Sequence, residues 1–574
     1  MANKILISKN KIEIHCAKGD IDTQTKLVDI NPLHFNRSRT IFTCSAHFVP
    51  EILHLLRGVT KDNIESAPLK IQEYFNNEIR IRENMQDLLV NGPRMSPYIN
   101  SNLTLKKHQQ LGREIAMYQD KFGFFYDTRT GKTPLSLAII NDDLQVNPNH
   151  KWLVICPLIL IDNAWLEDAA KFVPYISFIN CHASTKQNRL KQIAKPGNVY
   201  ITNTESFITY RTYFDKINFA GCIFDESSDI KSNSSKVSKE IVDFAAHVPR
   251  FYLLSGTPAA NGEYEYFMQI RAIDYYGFQQ SYEQFKKYYF VNVAYNSRFE
   301  RLMLRPDREQ EFYETLRKYS IFIDKEDVLT TPGRTFLEVE LDMPKDLKQH
   351  YNLLKNQMYL EVENEKFITT ANAAAKMNKL NQVASGFIID TGAKKDNKLF
   401  KDDESYEKQQ EWYLLNEFRF HKLAELLSSG KCVGKQVLIW ANYRNEFELI
   451  KKMLGANCRL IYGATSLKEK SEAIRLFKEK RIQYLVANPA SADKGLTLTN
   501  AHIAVYFSLN WSYELFKQSY ERIYADISKQ PEHCYYYIFI AKGTINRAIY
   551  SDVLLGKKHA SDAVLNHLKG GNLI

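Results

Sequence analysis

The stretch FFYDTRTGKTPLSLAI, residues 124–139, carries an apolar run, then the polar loop Asp127–Thr133, then the start of a helical pattern. A strand that breaks into a glycine-containing loop and resumes as a helix makes an anion cradle. The loop's backbone N–H groups and the positive end of the helix converge on one point. Lys132 is placed to reach outer phosphates, and the Thr133 hydroxyl is placed to hold Mg²⁺. The strict phosphate-loop pattern asks for a further glycine five positions before Gly131, where Tyr126 stands. The reading therefore rests on the strand–loop–helix context and on what surrounds it.

Outward from this loop, short apolar runs alternate with amphipathic stretches from about 103 to 275. FGFFYD, WLVICP, VYITN, CIFDE and FYLLSGTP read as strands, with helices such as TPLSLAIINDDL and SKEIVDFAAHV between them. Strand, helix, strand in that rhythm predicts a parallel sheet covered on both faces. The rhythm returns after about 415 in QVLIWAN, CRLIYG, YLVANP, AVYFSLN and CYYYIFIA. The predicted fold class is α/β, with two parallel-sheet lobes, helical insertions and a small α+β N-terminal module. The predicted divisions are an accessory module over 1–98, a first lobe over 99–275, a helical insertion and connector over 276–414, a second lobe over 415–556 and a tail over 557–574. Within the connector, MPKDLKQHYNLLKNQMYLEVENEKF reads as helical and TGAKKDNKLFKDDESYEKQQ as a partly solvated charged run.

Three further stretches carry candidate chemistry. CIFDESSDIKS (222–232) ends an apolar strand in the adjacent acids Asp225 and Glu226. Neighbouring side chains at a strand tip alternate in direction, so one acid can face a metal and the other an attacking water. LLSGTPAANG (253–262) is a buried strand followed by small polar residues. In SADKGLTLTNAHIAVYFSLNWSYELFKQSYER (491–522), Gly495, Thr497 and Thr499 open a loop. Gln518 and Arg522 then fall one helical turn apart on one face.

Composition sets the class. In 574 residues, 44% are apolar and 25% charged, which suits a globular protein with sizeable cores. No apolar run is long enough to span a bilayer. The N-terminus lacks the apolar segment of a signal peptide, so a cytoplasmic location is expected. The eight cysteines form no Cys-x-x-Cys pair, which argues against a zinc knuckle or a disulfide framework. The net charge of +10 suits a polyanionic partner without proving one.

The order of the motifs is more specific than any one of them. LKKHQ (105–109), DTRTGKT, WLVICP, VYITN, FDESS, LLSGTP, VLIWAN, GLTLTNA and QSYER follow one another as in a superfamily-two helicase-like ATPase. More narrowly they resemble the Swi/Snf family in its compact phage and prokaryotic form, over roughly residues 103–556. NQVASGF, Trp511, AKGTINRAI and the stretch ending KEDVL are similar to that family's text too. The resemblance implies two RecA-like lobes, ATP and Mg²⁺ as cofactors and DNA as the partner, with no membrane, in a bacterial or phage-infected cell. Gln109 would contact adenine, and Arg129, Thr130, Gly131, Lys132, Thr133, Gly495, Gln518 and Arg522 would complete the ATP site. Asp225, with Thr133, would hold Mg²⁺, while Glu226 activates water. Lys132, Glu226 and Arg522 would carry the catalysis, Arg522 reaching from the second lobe. Thr202, Asn203, Thr497 and Thr499 lie in motifs that touch or couple to the nucleic-acid backbone.

The chain departs from the family pattern at Ala525, where a second arginine is expected. Such an arginine can be worth ~10³–10⁵ in rate. If residues 522 and 525 share a helical face, Ala525→Arg raises turnover about tenfold. The implied activity is ATP-driven translocation on, or remodelling of, double-stranded or branched DNA. A strand-separating helicase and a low-turnover ATP- and DNA-binding scaffold are the alternatives.

Overall fold

The computed structural model describes residues 4–8, 11–16, 21, 24–25, 35–36, 41–45, 69–94, 103–278, 281–293, 302–357, 359–362, 366–369, 373–390, 412–492 and 497–555. The boundary at 98/99, the charged run 391–410 and the tail 557–574 fall outside them. Two compact units emerge, Met1–Val328 and Leu329–His559. The division lies inside the stretch read from sequence as one connector, for a reason visible in the strand pairing. Ser320–Ile323 joins the first unit's sheet, whereas Arg334–Leu341 joins the second's.

The first unit holds a seven-stranded parallel sheet. Its order is Ser320–Ile323, Lys121–Tyr126, Arg250–Leu254, Gly221–Asp225, Trp152–Ile155, Val199–Thr202 and Phe178–Asn180. Its central strands are buried on both faces, as their unbroken apolar text requires. Alternation sends Phe125, Leu153, Ile155 and Phe224 into one core, and Phe124, Trp152, Val154 and Ile223 into the other. All five strands expected here are present. Phe178–Asn180 and Ser320–Ile323 were not anticipated; both are edge strands of only three and four residues, too short to stand out from the text around them. Ahead of this sheet lie four short antiparallel strands, in the order Lys4–Ser8, Lys11–His15, Ile41–Ser45, Phe35–Asn36, and the helix Leu69–Asn91.

The second unit's sheet is six-stranded and parallel. It runs Arg334–Leu341, Cys534–Ala541, Ile503–Tyr506, Val437–Trp440, Tyr484–Ala487, Cys458–Ile461. The five expected strands are again present. The sixth, RTFLEVEL, alternates apolar and acidic residues because it is an edge, and Arg547 bridges Glu338 and Glu340 on its charged side. The helical reading of 343–367 holds only for Lys345–Gln357. Tyr359–Val362 and Lys366–Thr369 pair as an antiparallel hairpin, as β-branched and aromatic residues in alternation favour.

Candidate active site

Parallel strands end at a common edge, and that edge of the first unit gathers the candidate residues. Leu254 pairs with both Phe124 and Asp225, so Asp225 lies two strand spacings, about 10 Å, from the strand that feeds the phosphate loop. Between them the SGTP turn begins.

The loop is held from both sides. Gln109 Nε2 donates to the carbonyls of Thr130 (3.2 Å) and Gly131 (3.0 Å), and buried His108 donates from Nε2 to the Thr130 carbonyl at 2.7 Å. In a trans peptide the N–H points opposite to the C=O. Tying these carbonyls to the helix Lys107–Tyr118 therefore turns the following N–H groups away from it, towards the mouth of the loop. Gly131 has φ +88°, and a Cβ there would collide with Gln109 Nε2. Arg129 is also left-handed, at φ 63°. The helix behind, Lys132–Val146, is locked to Lys107–Tyr118 by a two-pronged ion pair, Arg113 to Asp142, at 2.7 and 3.1 Å. Lys132 Nζ donates to the Tyr126 carbonyl at 2.9 Å, Thr133 is half-buried at the helix start, and Thr130 is buried, donating to the Asp127 carbonyl at 2.7 Å.

Gln109 thus stands where the resemblance puts it in sequence, yet its amide braces the loop. Its Oε1 accepts from the Lys106 N–H at 2.7 Å, so both ends of the carboxamide are engaged. His108 went unnoticed in the sequence, and its place beside Gln109 in LKKHQ was the only signal. Burial lowers its pKa from 6.5, more than the bond to Thr130 raises it, and Lys106 lowers it further.

Asp225 is buried at the strand end, and its Oδ2 accepts from Trp165 Nε1 at 3.1 Å. Trp165 is fully buried in the π-helical turn Ile161–Leu166. Glu226 is not part of the strand: it leaves it with φ 61° and ψ 62°, half-buried, opening the 3₁₀ turn Ser227–Ile230. The two acids therefore diverge through a left-handed residue, a sharper device than the strand alternation expected. Ser227 Oγ donates to Gln269 Oε1 at 2.6 Å, and Gln269 Nε2 donates to the Pro258 carbonyl at 2.6 Å. Gln269, invisible as a site residue in sequence, so ties the acidic turn to the SGTP turn. That turn in turn abuts the phosphate loop, since a Cβ at Gly256 would lie 3.0 Å from Thr128 Cγ2.

For a metal, the chain offers the Thr133 hydroxyl and the Asp225 carboxylate, and no group of three metal-ligating side chains occurs among the described residues. Two hard oxygens beside an anion cradle fit Mg²⁺, which takes its remaining ligands from phosphates and water. Thr202 is fully buried at its strand end, so its side chain reaches nothing outside the protein, whereas Asn203 is half-buried.

The second unit carries its own group. The helix Tyr513–Tyr520 ends before Arg522, which sits in the turn beyond it. The expectation that Gln518, Arg522 and residue 525 line one helical face is therefore corrected. Gln518 and Arg522 are both buried, and Gln518 Nε2 lies 3.4 Å from Glu514 Oε1. Ala525 is 1% exposed, so its methyl packs inside the protein and presents no open face. The Arg522 carbonyl accepts from the Leu498 N–H at 2.9 Å. Gln530 Nε2 bonds the carbonyls of Thr499, Ala501 and Ile523 at 3.1, 2.7 and 3.0 Å. Residues 497–501 and the QSYER turn are thus one hydrogen-bonded piece, with Thr497 and Thr499 half-buried in it; Gly495 falls outside the described residues. Arg334 stacks on the same turn, its guanidinium carbon 4.6 Å from the Tyr524 ring centre and 5.7 Å from that of Tyr520.

Two family models match this chain. Residues 103–386 match the SNF2-related domain and residues 419–524 match the helicase conserved C-terminal domain. The chain belongs to the SNF2 family of helicase-like ATPases. "Putative protein p41" of Acyrthosiphon pisum secondary endosymbiont phage 1 is 24% identical over 73% of this chain and 89% of its own length. Human "DNA annealing helicase and endonuclease ZRANB3" is 22% identical over 71% of this chain, which spans only 35% of that protein. Among solved structures, the Sulfolobus solfataricus SWI2/SNF2 ATPase core in complex with dsDNA is 19% identical, covering 81% of this chain and 93% of that one, with a TM-score of 0.38. No helix among the described residues is long and apolar enough to cross a membrane.

Proposed function

We propose that this chain is a DNA-dependent, Mg²⁺-requiring ATPase that moves along, or remodels, double-stranded or branched DNA. The observation that carries the reading is the braced phosphate loop at the same sheet edge as the Asp225–Glu226 corner. ATP with Mg²⁺, when bound, supplies the phosphoanhydride and the charge to be managed. Lys132 then exchanges the Tyr126 carbonyl for phosphate oxygens, and Thr133 and Asp225 hold the metal. Trp165 keeps the Asp225 carboxylate aimed by donating to one of its oxygens. Glu226, set off from Asp225 by its left-handed backbone, orients the attacking water and accepts its proton. The Ser227–Gln269–Pro258 chain passes any shift of this corner to the SGTP turn. The net charge of +10 and the DNA activity in the name of the human relative support DNA as the polymer.

ATP turnover with no polymer, single strands, duplex, forked DNA and RNA tests this. Duplex or forked DNA is expected to stimulate turnover most, and both Lys132→Ala and Glu226→Gln to abolish it, with Glu226→Gln retaining ATP affinity better. Normal hydrolysis by Glu226→Gln would remove this acid from the mechanism.

A further inference from the structure

Lys325 is 1% exposed, and its ammonium donates to Thr128 Oγ1 at 3.2 Å, inside the phosphate loop but 197 residues away in the chain. An ammonium taken out of water is costly unless it is hydrogen-bonded in fixed geometry. Its backbone is fixed as well: the strand Ser320–Ile323 pairs with Lys121–Tyr126, and the Ile323 carbonyl accepts from the Asp127 N–H at 2.8 Å. Thr128 is confined on its other sides too. Its N–H donates to Asp127 Oδ1 at 2.8 Å, and Gly256 of the SGTP turn packs against it. Three residues beyond Lys325, at Val328, the chain leaves the first unit.

We propose that Lys325 is a positioning residue of the phosphate loop, acting through Thr128, which ties the loop's conformation to the segment by which the chain leaves the first unit. The proposal rests on the ATPase reading above. Thr128 takes the Lys325 ammonium on its hydroxyl and the SGTP turn on its methyl. A loop that tightens on a nucleotide pulls on both, and the pull on Lys325 reaches residues 325–335 directly.

The test compares the wild-type chain with Thr128→Val, Thr128→Ser, Lys325→Met and the double variant Thr128→Val/Lys325→Met. Steady-state ATP turnover is measured at saturating duplex DNA, alongside hydrogen exchange of residues 325–335 with and without ATP. Thr128→Val, which keeps the side chain's shape and loses the acceptor, is expected to lower kcat about tenfold, the scale of one charge-assisted hydrogen bond, with KM for ATP changed far less. Thr128→Ser restores kcat. The double variant falls no further than the worse single variant, because both remove one interaction. ATP changes exchange at 325–335 in the wild type and not in Thr128→Val. Wild-type kcat in Thr128→Val, multiplying effects in the double variant, or an exchange response that survives Thr128→Val would each overturn the proposal. A wild-type chain that hydrolyses no ATP would instead overturn the ATPase reading, so the two failures are distinct.

Discussion

Glu226 occupies a backbone conformation, φ 61° and ψ 62°, that costs a residue with a Cβ about 1–2 kcal/mol relative to glycine. On the proposed assignment, that strain is offset by aiming the Glu226 carboxylate at the attacking water. Glu226→Gly is expected to raise thermal stability slightly while removing ATP turnover. A fall in melting temperature with turnover intact would contradict the assignment. Ala525 makes the opposite case. Read from sequence, it is a missing arginine on an open helical face. In the structure the helix stops at Tyr520, and Ala525 is enclosed, with Arg334 already stacked on the neighbouring Tyr524. An arginine at 525 must bury its guanidinium or displace its surroundings. Ala525→Arg is therefore expected to lower stability by about 1–3 kcal/mol and to leave turnover flat or reduced. A tenfold gain in turnover would show that the site lacks a cation that an arginine at position 525 can supply.

At the scale of elements, the phosphate loop owes its shape to the helix Lys107–Tyr118 as much as to its own residues. His108 makes that dependence measurable. Its pKa is lowered in the folded protein, chiefly by burial, so the unfolded chain binds the proton more readily. The contribution of His108 to stability is full above about pH 6.5 and is lost as pH falls from there through its folded value. The melting temperature of the wild type is expected to fall relative to that of His108→Asn between pH 7 and pH 5. A difference that stays constant over this range would mean that His108 does not titrate against the loop. The elements themselves were legible in the sequence where burial on both faces writes an unbroken apolar run, as in WLVI and RFYLL. Edge strands were not legible. RTFLEVEL mixes acids with apolar residues because only one side of it is paired, and SIFI is too short to stand out from the helical text around it. The braces were hidden for another reason: Trp165, Gln269 and Lys325 act across gaps of 60, 42 and 197 residues, which no local pattern records.

For the whole molecule, the motif order carried the family, and the matches to the SNF2-related and helicase C-terminal domains agree with it. The order could not place the division between the units. That depends on which sheet each edge strand joins, and the chain changes sheets between Ile323 and Arg334. The central claim is that ATP hydrolysis in this chain drives movement along duplex DNA. Its most direct measurement is displacement of a third strand from a triplex placed on a duplex of arbitrary sequence. The account predicts release that requires hydrolysable ATP, grows with time, is indifferent to the duplex sequence and is absent with Glu226→Gln. DNA-stimulated hydrolysis with no release of the third strand would contradict it and identify the chain as an ATPase that grips DNA without travelling along it.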